Sequence, residues 1–192
     1  MIGDIDLPGF TDPVAGAQSS FRALLSAMAV PGSVHEAGIG LTPPAPVAPA
    51  TAAVLLTMVD GEAPLALDAA AEPCRGWIAF HCGAMFTDAG RAHFALALTC
   101  PDFANLNAGT DEGPEESCTL ILQVKALGSG TAFRLSGPGL QRPALLNVDG
   151  LPVDFAARWA ANAALFPRGI DIVLCAGTTL AALPRSVMVE NA

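Results

Sequence analysis

The prolines Pro43, Pro44, Pro46 and Pro49 constrain this chain more than any other feature. Each lacks an N–H donor, and its ring clashes with the preceding helical turn, so this segment cannot be the interior of a regular helix. It reads as an extended connector between separate elements. The same punctuation recurs along the chain. Pro31-Gly32, Asp60-Gly61, Gly137-Pro138-Gly139, Pro167-Arg168-Gly169, Gly177 and Pro184 each mark a stop.

The segments between these stops have their own patterns. Asp12 and Pro13 suit the N-cap and first position of a helix. Phe21, Leu24, Leu25 and Met28 recur at helical spacing as an apolar stripe, which leaves Arg22 off the stripe. Thr51 suits the cap of a second helix running through Val59. Pro64 to Leu67 reads as a short strand. Glu72 and Pro73 open a helical segment reaching Ile78, and Phe80-His81-Cys82-Gly83 reads as a break. His93 to Leu98 is a buried strand, and Pro101 to Leu106 a short helix. Asp111, Glu112, Glu115 and Glu116 flank Gly113-Pro114 in a solvated acidic loop. Thr119 to Ala126 and Thr131 to Leu135 read as a hairpin turning at Gly128-Ser129-Gly130. Phe155, Trp159, Ala163 and Phe166 mark one face of a further helix, with Asp154 near its N-terminus. Ile170 to Cys175 and Thr179 to Leu183 are the last strands. Early alternation followed by hairpins predicts an α/β fold, a mixed sheet with helices on both faces. A length of 192 residues suits a single domain.

Composition narrows the function. The chain is 52% hydrophobic and 14% charged, so it can bury a core and is not intrinsically disordered. Its net charge of −9, with nine basic residues, excludes the basic footprint of a nucleic-acid binder or an anionic-membrane binder. High apolar content with few charges implies some apolar surface covered by a partner. Met1 to Asp6 carries acidic residues where a secretory leader needs basic ones. The apolar run Ala52 to Val59 is too short to cross a bilayer. Cys74, Cys82, Cys100, Cys118 and Cys175 are odd in number, widely spaced and without a C-x-x-C, which points to reduced thiols in a cytoplasmic protein rather than a disulfide or zinc framework.

The motifs of common chemistries fail. His35-Glu36 starts a zinc-protease helix motif, but Ile39 stands where the second histidine belongs, so His35 reads as a turn residue and no metal site is expected. His81 beside Cys82 would project to the opposite face of a strand. His93 reads as structural. Gly38-Ile39-Gly40 and Gly137-Pro138-Gly139 complete no dinucleotide fingerprint, and Lys125 follows Val124 rather than a P-loop glycine. No G-x-S-x-G elbow is present. The acidic loop does not match a calcium loop. Pyridoxal phosphate chemistry needs a desolvated lysine, and Lys125, the sole lysine, lies in a strand. Arg22, Arg168 and Arg185 remain, beside turns or helix ends. There a guanidinium can clamp phosphate or phosphonate oxygens bidentately, or form an ordinary surface ion pair.

Five strings taken together carry a resemblance. They are Phe21 to Met28 with Pro31-Gly32; Thr119 to Val124; Leu135-Ser136-Gly137-Pro138-Gly139; Phe166-Pro167-Arg168-Gly169-Ile170-Asp171; and Leu183-Pro184-Arg185. In order and spacing, from about Asp12 to Glu190, the chain resembles the PhnH family, subunits of the bacterial carbon–phosphorus lyase machinery. The resemblance implies a fold similar to the large domain of pyridoxal-phosphate transferases, without that cofactor. It also implies a cytoplasmic homodimer that docks with the PhnG, PhnI, PhnJ and PhnL subunits. With its partners, such a subunit supports transfer of an alkylphosphonate onto ribose C1 of ATP, with loss of adenine. PhnJ later breaks the carbon–phosphorus bond. The subunit is not expected to be catalytic alone. The family supplies no catalytic residues. Arg22, His81, Arg168, Asp171 and Arg185 are therefore candidates for ligand or subunit contact. An independent phosphate- or phosphonate-binding enzyme and a pure scaffold are the alternatives.

Overall fold

The structure is a computed structural model that describes residues 6–192. The leader reading of Met1 to Ile5 lies outside them. Helix α1 spans Pro13–Ala29, and Asp12 Oδ1 accepts from the N–H groups of Val14 and Ala15, satisfying donors that the first turn leaves unpaired. Strand β1 is the residue pair His35–Glu36. Helix α2 spans Pro49–Met58, and its Ala50–Leu55 stretch is buried on every face. Strand β2 (Leu65–Leu67) is followed by helix α3 (Arg75–Cys82) and strand β3 (Phe94–Ala97). Then come β4 (Thr119–Gln123), β5 (Ala126–Ser136), β6 (Ala144–Asp149) and helix α4 (Phe155–Ala163). Strands β7 (Asp171–Ala176), β8 (Thr179–Leu183) and β9 (Met188–Asn191) end the chain.

A six-stranded sheet has the order β1-β8-β7-β4-β3-β2. Strands β2, β3, β4 and β7 are parallel, while β8 and β1 are antiparallel to their neighbours. A second, antiparallel sheet has the order β6-β5-β9. The mixed α/β expectation is met. Strand alternation splits the core between the two faces of the large sheet. Leu120, Leu122, Ile172 and Leu174 pack with Phe155 and Trp159 of α4 and with Phe133 and Leu146 of the small sheet. Ile121, Val173 and Leu96 pack with Leu24, Val54 and Trp77 of the three N-terminal helices. Burial on both faces explains why β4 and β7 read as apolar runs. No helix among the described residues is long and apolar enough to cross a membrane.

Six local expectations need correction. The predicted hairpin of Thr119 to Ala126 with Thr131 to Leu135 does not form. Strand β4 ends at Gln123 and pairs with β3 and β7, while Gly128-Ser129-Gly130 lies inside β5 as a bulge against β6. Leu127 and Thr131 both register with Val148. Gly130 has φ +86°, and a Cβ there would lie 2.6 Å from Asp149 Cα, so only glycine fits. Thr51 is not a cap, because α2 starts earlier at Pro49. Phe80-His81-Cys82 is helical, and the break falls at Gly83, which takes the left-handed cap conformation. On α1 the buried face is Ser20, Leu24 and Ala27, while Phe21 and Leu25 are exposed. Phe166 lies beyond α4 and is 63% exposed. Among the single histidines, His35 pairs with Leu180 in an edge strand rather than in a turn.

Candidate functional site

Open α/β sheets usually bind ligands beyond the carboxyl ends of their parallel strands. At β4 the chain covers that place itself. Gln123, the last residue of β4, accepts at Oε1 from the Ala48 N–H at 2.7 Å and from the Thr51 hydroxyl at 2.8 Å. Its Nε2 donates to the Pro46 carbonyl at 2.9 Å. The Cys74 thiol lies 3.5 Å from the carbonyls of Pro44 and Ala45. Leu41 just before this segment and Val47 within it are buried. The proline connector is thus fastened over the carboxyl ends of β4 and β7. Lys125, nearby, is mostly exposed and places Nζ 2.8 Å from Asp149 Oδ2. Solvent and a carboxylate keep that amine charged, contrary to what a Schiff-base lysine needs.

Three of the expected site residues meet at the opposite end of the sheet. Asp171 opens β7 beside Thr119 of β4. Arg185 follows β8 and donates its backbone N–H to Asp171 Oδ1 at 2.6 Å. Its Nη2 donates to Asp171 Oδ2 at 2.6 Å, and its Nη1 to the Pro114 carbonyl at 2.8 Å. Arg168 Nε lies 3.0 Å from Asp111 Oδ1. Both arginines face carboxylates, and the Arg185 pair is largely buried. Next to it, Asn162 of α4 exchanges two hydrogen bonds with the backbone of Ile170. Gly169, with φ +110°, lies so close that a Cβ would fall 2.9 Å from Asn162 Oδ1. The string Phe166 to Asp171 is therefore the joint between α4 and β7.

The other two candidates lie elsewhere. Arg22 is exposed on α1, with Nη2 3.5 Å from Gln18 Oε1. His81 lies in the last turn of α3 against the rings of Trp77 and Phe80, and its Nε2 is 2.9 Å from the Leu7 carbonyl. Trp77 Nε1 donates to the same carbonyl at 2.8 Å. Neighbours in a helix are about 100° apart, so helical rather than strand geometry turns Cys82 away from His81. Burial pushes the Cys82 thiol up to about 12, and Cys118 and Cys175 likewise, with Cys100 raised to about 11. A thiolate nucleophile needs the opposite shift. Among the described residues, no three His, Cys, Asp or Glu side chains converge as a metal site.

One feature had no signal in the sequence. A cavity of about 480 Å³ lies between α4 and the 3-10 turn Phe103–Asn105. Phe103, Leu106, Ala108, Ala161 and Leu165 line it, with Asp102, Asn162 and Arg158 among its polar groups. Arg158 Nε pairs with Asp154 Oδ2 at 2.9 Å, and its Nη1 donates to the Pro101 carbonyl. That guanidinium holds the Asp154 carboxyl below its usual range.

The family model for the bacterial phosphonate metabolism protein (PhnH) matches residues 8–190. The chain belongs to the PhnH family. It is similar to the alpha-D-ribose 1-methylphosphonate 5-triphosphate synthase subunit PhnH of Rhizobium meliloti (strain 1021), with 40% identity over 188 residues, covering 95% of this chain and 94% of that protein. It is also 31% identical over 177 residues to the candidate C-P lyase subunit protein HtxG of Stutzerimonas stutzeri, covering 90% and 85% of the two chains. Several strings that carried the PhnH resemblance meet in space. Gly32 lies against Leu135, Gly139 against Ala29 and Pro31, and Gly137 against Ser186. In this member of the PhnH family they are the joints between α1, the small sheet and the segment after β8.

Proposed function

We propose that this chain is a subunit of the carbon–phosphorus lyase system, working with PhnG, PhnI and PhnL in the synthase step. In that step a phosphonate oxygen forms a bond to ribose C1 of ATP. The bond from C1 to adenine breaks, and adenine leaves with the electron pair and gains a proton. The product is a ribose 1-phosphonate 5-triphosphate, and PhnJ cleaves its carbon–phosphorus bond later. The name of the 40% identical relative supports this reading.

The single observation that carries the subunit role is the covered carboxyl end of β4, where Gln123 binds the connector Pro46–Ala48 at the edge where small ligands usually sit. The chain would then contribute surface and position to an assembly, and would not be catalytic alone. Exposed Val14, Phe21 and Leu25 on α1, and Leu165 and Phe166 after α4, supply apolar surface for partners. A homodimer, a cytoplasmic location and a single domain related in fold to pyridoxal-phosphate transferases complete the proposal. The independent-enzyme alternative draws no support from Arg168 or Arg185, whose guanidinium groups are turned to Asp111 and Asp171.

Co-expression with PhnG, PhnI, PhnJ and PhnL, followed by size exclusion and native mass spectrometry, tests the reading. One stoichiometric assembly is expected, with adenine released from ATP and methylphosphonate only when the partners are present. Adenine release by the isolated chain would transfer the case to an independent enzyme.

A further inference from the structure

The cavity beside α4 has the makings of a docking socket. Its walls are mostly apolar, and the lining residue Leu165 and its chain neighbour Phe166 are 39% and 63% exposed. A cavity of about 480 Å³ is large enough to receive a bulky side chain, the kind of pocket in which interface anchors sit. The rim has a definite charge. The loop that follows Ala108 folds back through Asn107 Nδ2, which donates to the Glu116 carbonyl, and through the Gly113 N–H, which donates to Thr110 Oγ1. The Gly169 N–H donates to the Ala108 carbonyl and ties this loop to the joint after α4. Asp102 lines the cavity with Arg158, which pairs with Asp154. The loop leading away from the lining residue Ala108 carries Asp111, Glu112, Glu115 and Glu116 against Arg168 and Arg185, the first paired with Asp111 and the second reaching the Pro114 carbonyl. Among the described residues, Glu112, Glu115 and Glu116 have no cationic partner, and all are exposed. Charge complementarity favours a basic occupant, and a small anion such as a phosphonate is disfavoured.

We propose that this socket docks a basic segment of another subunit, which inserts an aromatic or branched apolar side chain between α4 and the Phe103–Asn105 turn while its Lys or Arg residues face the acidic loop. The proposal rests on the subunit reading above and adds the surface and the chemistry of the partner. A second copy of this chain is a poorer occupant, since its own excess of acidic residues opposes the rim.

Two variants test it, each co-expressed with the partner subunits and compared with the wild type. Ala161→Trp fills the socket from an exposed position on α4. The triple change Glu112→Lys, Glu115→Lys and Glu116→Lys reverses the rim without touching the walls. Each is expected to weaken co-assembly by on the order of tenfold or more. The wild-type affinity should fall with salt, and that dependence should flatten in the triple variant. Unchanged melting temperatures would show that both variants fold. Wild-type affinity in both variants would overturn the socket while leaving the subunit reading intact. Loss in only one of them would overturn it too, because the anchor and the charge are both required. Disruption of a self-associated form by Ala161→Trp would assign the face to a second copy and overturn it as well. Failure of the wild type to co-assemble would bring down both the subunit reading and the socket.

Discussion

Arg185 grips Asp171 from both its backbone and its side chain, across the start of β7. The backbone N–H reaches Oδ1 at 2.6 Å while Nη2 reaches Oδ2 at 2.6 Å, and the two side chains are 16% and 15% exposed. The pair closes the amino end of the large sheet over the Pro114 carbonyl.

Removing one partner should therefore be costly. Asp171→Ala leaves a largely buried guanidinium without its counter-charge and is expected to cost about 3 kcal/mol. Arg185→Lys keeps the charge but loses the two-pronged geometry and should cost less. Urea unfolding of both variants checks the order. Equal, near-zero losses would show that the pair is dispensable.

The bulge in β5 makes a second, comparative prediction. Gly128 and Gly130 share φ +86°, but only Gly130 has backbone within 2.6 Å of where a Cβ would stand. Gly128→Ala should cost about 1 kcal/mol from the left-handed conformation alone. Gly130→Ala adds a collision with Val148 and Asp149 and should cost about 3 kcal/mol. Melting temperatures separate the two.

Gln123 should control the connector. Gln123→Leu strands the Ala48 N–H, the Thr51 hydroxyl and the Pro46 carbonyl, at a cost of about 1 to 3 kcal/mol. Exchange of the Ala48 amide should quicken while amides within β7 stay protected. Uniform quickening would mean that Gln123 supports the whole sheet rather than the connector.

The thiols set an alkaline limit. Burial raises Cys82, Cys118 and Cys175 from an ordinary value of 9.0 to about 12. The unfolded chain then releases protons that the folded chain keeps, so stability is full below about pH 9 and falls as pH rises toward 12. Native alkylation at pH 8 should be slow at these three sites and fast after unfolding. Rapid native labelling of Cys118 would contradict its burial.

Local chemistry made much of the fold legible. The Asp12-Pro13 start of α1, the stop at Pro31, and β7 and β8 between Gly169, Gly177 and Pro184 follow from cap and breaker residues that act over a few positions. What depended on distant contacts did not show. Phe21 and Leu25 have the spacing of a buried stripe, yet packing on β8 and α2 buries Ser20, Leu24 and Ala27 instead. Gly128-Ser129-Gly130 has the composition of a turn, and only β6 opposite makes it a bulge. Strands β6 and β9 have little pattern of their own, because each is defined by its pairing with β5. Among the site candidates, Asp171, Arg168 and Arg185 are unpaired in the sequence, and the topology brings them to one end of the sheet. The socket left no trace, since alanines such as Ala108 and Ala161 form it by leaving space, and empty volume has no residue type.

The connector's fastening also dictates an order of events during folding. Ala48 and Gln123 are separated by 75 positions, so their bond closes a long loop and cannot form until β4 exists. The N-terminal helices can begin locally, but the segment that joins them must wait for the middle of the chain. On the ribosome, residues 43 to 49 would emerge early and find their place late, when β4 has come to lie beside β7.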